Sequence, residues 1–138
     1  MPRAFCLMLP AIVCGCSHPP AAPPQESGYA VTSNDGTYQL VFSPEPQAIP
    51  LNEMFSLDIH VYDGADRRPV SGDVRLDVDA GMPEHRHGMT TRPRVTPTGG
   101  GAFTADGLLF HMPGFWEIYF DITREGVTER VQVPVDLE

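Results

Sequence analysis

The chain has 138 residues, with nine Lys+Arg against eighteen Asp+Glu and a formal net charge of −9. That length supports one domain. The acidic balance, in which every basic residue is an arginine, excludes a phosphate-tracking surface for nucleic acid or anionic lipid. The carboxylates are scattered, which suits solubility rather than a dedicated cation site.

The first segment, MPRAFCLMLPAIVCGC, carries one basic residue, Arg3, and then an apolar run from Ala4 to Val13. A membrane-spanning helix needs roughly 20 apolar residues, about twice that run, so the segment reads as a signal peptide. Gly15 directly before Cys16 is the ending of a lipoprotein signal, whose cysteine thiol takes a diacylglycerol group before cleavage. The expectation is a signal peptide over residues 1–15 and lipidation at Cys16, with the membrane surface as a partner through that lipid. Cleavage removes Cys6 and Cys14 and leaves no free thiol, so a disulfide framework is excluded despite the oxidising compartment. Ser17 stands where aspartate often marks inner-membrane retention. In a cell with two membranes the expected location is therefore the outer one, facing the periplasm.

Residues 16–36 read as a disordered, lipid-anchored linker. Its SHPPAAPPQ stretch favours an extended, semi-rigid chain, and His18 within it is expected to be solvated. A domain is expected over residues 37–138, where short alternating runs are separated by Gly, Pro and Asn. Tyr38, Leu40 and Phe42 alternate in the first run. Met54 to Tyr62 follows, with Phe55, Leu57, Ile59 and Val61 on one face and Ser56, Asp58 and His60 on the other. The third run sets Val74, Leu76 and Val78 against Arg75, Asp77 and Asp79. A weaker fourth covers about Thr90 to Thr96, and a fifth runs from Ala102 to Phe110. The sixth alternates Trp116, Ile118, Phe120 and Ile122 with Glu117, Tyr119 and Asp121. The seventh carries Val131, Val133 and Val135. No stretch has a helical period. Seven short strands, each with one apolar face, predict an all-β, immunoglobulin-like antiparallel sandwich with Trp116 in its core and no inter-sheet disulfide.

Two segments are not ordinary turns. Met82-Pro83-Glu84-His85-Arg86-His87-Gly88-Met89 follows the third strand, and His111-Met112-Pro113-Gly114 lies between the fifth and sixth. They hold three of the five histidines and three of the six methionines. If successive strands run antiparallel, the connections after strands three and five share one end of the sandwich, so His85, His87 and His111 can converge with Met82, Met89 and Met112. Imidazole and thioether donors favour copper, above all Cu(I), while the scarcity of carboxylates there disfavours calcium and magnesium. Zinc competes, because three histidines with an open position also suit it. Pro83 and Pro113 reduce the ordering cost of a site built on these loops. Against this stands a packing role, with Met82 and Met112 closing the end of the core. No enzyme is expected: there is no GxSxG, no HExxH, no Cys-x-x-Cys-His, and no nucleophile beside the histidines.

At the same segments the chain resembles the YtkA-like domain family, small secreted or membrane-attached β-sandwich lipoproteins related to the FixH group. The matching residues are MPEHRHGM at 82–89, the glycine-rich run at Gly99 to Gly101, and GLLFHMPGFWEIYFDI at 107–122. The resemblance covers roughly residues 37–136, and the pair of motifs together is fairly specific. Arg86 departs from it, standing where a glycine or another small residue is expected. The resemblance implies copper handling and service to respiratory oxidase assembly. The resulting expectation is a lipid-anchored, extracytoplasmic copper-binding chaperone or buffer with a copper-receiving protein as its partner. The alternative is a metal-free immunoglobulin-like interaction module in an envelope complex.

Overall fold

A computed structural model describes residues 28–138. The expected signal peptide, Cys16 and the proline-rich stretch lie outside the described residues. Nine strands follow in chain order: β1 (Tyr29–Thr32), β2 (Tyr38–Glu45), β3 (Met54–Asp63), β4 (Val74–Met82), β5 (His87–Gly88), β6 (Arg94–Gly99), β7 (Ala102–Leu109), β8 (Gly114–Arg124) and β9 (Val127–Leu137). They form two antiparallel sheets, β1-β2-β3-β7-β6 and β5-β4-β8-β9, packed as a sandwich.

The seven strands expected from alternation are all present, the fourth shifted from the expected Thr90–Thr96 to Arg94–Gly99, and two more join them. β1 adds an edge strand upstream of Thr37, pairing Tyr29 with Phe42 through Thr32 with Gln39. Its residues are mostly exposed, so it carries little of the inside–outside alternation by which the other strands are recognised. β5 is two residues long and arises as the return arm of a hairpin.

Alternation puts Leu40, Phe42, Leu57, Ile59, Val61, Leu76, Val78, Trp116, Ile118, Phe120 and Ile122 in one core, as the period of two requires. β7 breaks that parity. Phe103 and Ala105 face inward, yet so do Leu108 and Phe110. The pairing explains the switch, because Ser56 opposes Asp106 while Phe55 opposes Leu108, leaving Gly107 unmatched. Gly107 has φ 89°, the left-handed conformation that a glycine bulge uses. This one extra residue turns Phe110 into the core and sets the direction in which the chain leaves the strand.

The opposite end of the sandwich is latched by a buried carboxylate. Glu129 is 5 % exposed, and its Oε2 accepts from the Ser33 hydroxyl at 2.7 Å and the Thr37 N–H at 3.3 Å. Burial pushes this carboxyl up. Hydrogen bonds from Thr37, Ser33 and the Asp35 backbone outweigh it and hold the group below its ordinary range. A lowered folded value means that the latch stabilises fully above the unfolded value and is lost as pH falls through the folded one. Glu129→Gln should cost about 1–3 kcal/mol at neutral pH, and that difference should shrink on acidification. Urea unfolding at both pH values checks it, and a pH-independent difference would refute the assigned charge.

Candidate metal centre

The first segment is a hairpin. Met82 pairs with His87 and Gly81 with Gly88, and the Met89 N–H donates to the Ala80 carbonyl at 3.1 Å. Within the turn, the His85 N–H donates to the Met82 carbonyl at 3.1 Å and the Arg86 N–H to the Pro83 carbonyl at 3.3 Å. Arg86 closes the turn at φ 57°. That explains why a glycine is the expected residue here: the left-handed conformation costs a side-chain-bearing residue roughly 1–2 kcal/mol. Against the backbone entropy of glycine, about 0.5–1 kcal/mol, Arg86→Gly should stabilise the domain by up to about 1.5 kcal/mol. The check is a higher urea midpoint at unchanged slope; a lower midpoint would mean that the arginine side chain itself stabilises the hairpin.

The second segment continues from β7 past the bulge. Phe110 is fully buried, and the chain then passes through His111, Met112 and Pro113 into β8. The indole N–H of Trp116 donates to the Met112 carbonyl at 3.0 Å. Gly114, at φ 118°, begins β8 where an added Cβ would stand 3.2 Å from Cε of Met82. The glycine thus lets the second segment pass closely over the end of β4.

These two segments meet at one end of the sandwich. The ring centroids of His87 and His111 are 5.4 Å apart, and those of His85 and His87 are 5.7 Å apart. His87 therefore stands in the middle of a row. His85 and His87 are exposed and His111 is half-buried. Nδ1 of His87 lies 3.3 Å from the Gly88 carbonyl. A carbonyl can only accept, so in that contact Nδ1 is the donor, which leaves Nε2 turned away from Gly88. Nδ1 of His111 is buried without a hydrogen-bond partner.

The sulfurs divide differently. Met89 and Met112 are half-buried against the core, and Sδ of Met89 accepts from the Leu109 N–H at 3.5 Å. Met82 is 1 % exposed and belongs to the core, so the structure gives it the packing role weighed for it in the sequence. Met54, which the sequence pattern did not single out, opens β3 opposite Leu109. It is 68 % exposed, so all four methionines of the described residues lie at this end. His60 stands apart. It is six residues along β3, about 20 Å away, and stacks on Tyr62.

An aromatic floor supports the row. Trp116 is fully buried and stacks on Phe110 with centroids 4.5 Å apart and planes 7° apart. The Trp116 ring makes edge contacts with His111 at 5.6 Å and His87 at 6.4 Å. The sequence offers no signal for these contacts beyond a tryptophan two residues after the Met-Pro-Gly run. Beside the hairpin is a shallow hollow of about 320 Å³, lined by Arg86, His87, Gly81 and Tyr119 among others. Burial and a 2.7 Å hydrogen bond to Glu117 push the Tyr119 phenol up to about 12, so it is neutral and supplies no phenolate.

The donor chemistry fits a soft, monovalent metal. Two imidazoles sharing one metal at about 2.0 Å have centroids about 5–6 Å apart, the spacing of His87 and His111. The unpartnered Nδ1 of His111 is a buried polar atom whose unmet hydrogen bond costs about 1–3 kcal/mol. Among the described residues, no three His, Cys, Asp or Glu side chains are gathered as a ready ligand set. Two imidazoles completed by thioether sulfur would form a neutral donor set, of the kind that suits Cu(I) better than a divalent ion.

A family model described as YtkA-like matches residues 30–121, about two-thirds of the chain. Comparison with curated proteins and with solved structures finds no match.

Proposed function

The chain belongs to the YtkA-like family, and on that footing we propose that it binds Cu(I) in the cell envelope as a chaperone or buffer. The observation that carries this reading is the pairing of His87 and His111, brought to 5.4 Å from two separate segments of the chain. In this reading His87 and His111 hold the metal with sulfur from Met89 and Met112. His85, at the exposed hairpin tip, is the additional imidazole, and Met82 contributes mainly the floor beneath it. Bound copper would supply a monovalent ion held by neutral, soft donors and ready for exchange with a stronger thiolate or thioether acceptor. The lipid on Cys16 would keep the domain at a membrane surface, and the copper-receiving partner would be a protein of that compartment, with respiratory oxidase assembly as the process served.

A competition titration with a chromophoric Cu(I) chelator tests this. It should give one Cu(I) per chain, undisturbed by an equimolar amount of zinc. A protein unable to compete with even a weak chelator would leave the metal-free interaction module as the better reading, which the core packing of Met82 favours.

A further inference from the structure

We propose that Trp116 is the positioning residue of the site, holding the two ligand-bearing segments in one arrangement before any metal arrives. This rests on the Cu(I) reading above but makes a separate claim. A site assembled from two loops loses affinity when each loop must be ordered on binding, and preorganisation removes that cost. Three contacts let one side chain do so here. The indole N–H fixes the carbonyl of Met112 at 3.0 Å, restraining the loop between His111 and Gly114. The ring meets the imidazole of His111 at 5.6 Å on that same loop. It also meets the imidazole of His87 at 6.4 Å on the other segment, the β4–β5 hairpin. Trp116 is itself immobilised by complete burial and by the Phe110 stack, and its strand pairs Glu117 with Gly81 at the base of the hairpin. A phenylalanine there would keep an apolar ring in the core but could not donate to Met112.

Phe110 supplies the control. It is as buried as Trp116 and stacks on it, but the polar tether to Met112 runs from the tryptophan. In the full chain, held in detergent, Trp116→Phe and Phe110→Leu should both lower thermal stability. Trp116→Phe should speed amide exchange at His111, Met112 and Gly114 more than Phe110→Leu does, because it alone removes the donor to Met112. It should also give the larger loss of Cu(I) binding, about tenfold or more, in the chelator competition. Trp116→Phe binding as tightly as wild type, or losing no more than Phe110→Leu, would overturn the proposal. The wild type gives an independent reading should Trp116→Phe not fold. One equivalent of Cu(I) should change the emission of this single tryptophan, with saturation at the stoichiometry given by competition. Binding with no change in emission would overturn the proposal as well. A wild type that does not bind Cu(I) at all would remove the functional reading and this inference together, whereas binding unaffected by Trp116→Phe removes this inference alone.

Discussion

Trp116→Ala should cost the domain about 3–5 kcal/mol, the usual penalty for truncating a fully buried large aromatic. Trp116 is the largest side chain buried in the core. Its removal leaves Phe110 without its stacking partner at 4.5 Å and the Met112 carbonyl without its donor. Little can collapse into the space, because Phe110 is already held edge-on by Phe55 at 5.1 Å and β8 is paired on both sides, to β4 and β9. A domain of this size has a total stability of about 5–15 kcal/mol, so the variant should be marginal. At roughly 4 °C per kcal/mol for about a hundred residues, the midpoint of thermal unfolding should fall by about 12–20 °C. A fall of only a few degrees would mean that the tryptophan is not a central packing residue.

The sandwich was legible because each principal strand announces its buried face by alternation. Leu40 and Phe42, Phe55 to Val61, Leu76 and Val78, and Trp116 to Ile122 all point inward as their spacing requires. Two features were less legible. β1 has no apolar stripe to mark it, and it is held by pairing to β2 rather than by burial. The parity switch in β7 had one local sign, a glycine inside a strand, which commonly marks a bulge. Reading Gly107 that way assigns Leu108 and Phe110 to the core from the sequence.

The candidate site was legible in its segments and not in its depth. Antiparallel succession is enough to place the hairpin at Met82–Met89 and the loop at His111–Gly114 on one end, and the left-handed turn at Arg86 matches the position where a glycine is expected. Spacing alone could not separate Met82, which lies in the core, from Met89 and Met112, which remain half-buried at the rim. Met82 continues the inward series of Leu76, Val78 and Ala80, but only once β4 is known to run as far as residue 82, beyond the alternation read from Val74 to Asp79. The contact of Trp116 with His87 spans β8, β4 and β5 of one sheet, and that with His111 depends on the path of the β7–β8 connection; no local pattern corresponds to either.

His87→Ala should produce the largest loss of metal binding. His87 is the middle ring of the three; its Gly88 contact orients the imidazole, and it lies on the exposed arm of the hairpin, where truncation does little to the core. Removing it leaves His85 and His111 with no imidazole between them. Cu(I) affinity should fall at least tenfold, about 1.4 kcal/mol, and more if the remaining sulfurs cannot replace it. His60→Ala removes a histidine from the far part of β3, where it stacks on Tyr62, and should leave Cu(I) binding unchanged. The decisive measurement is the chelator competition run on wild type, His87→Ala and His60→Ala side by side, with thermal unfolding recorded for each. The account predicts one Cu(I) per wild-type chain, at least a tenfold loss for His87→Ala in a protein that unfolds like wild type, and no loss for His60→Ala. Equal, small losses in both variants would contradict it.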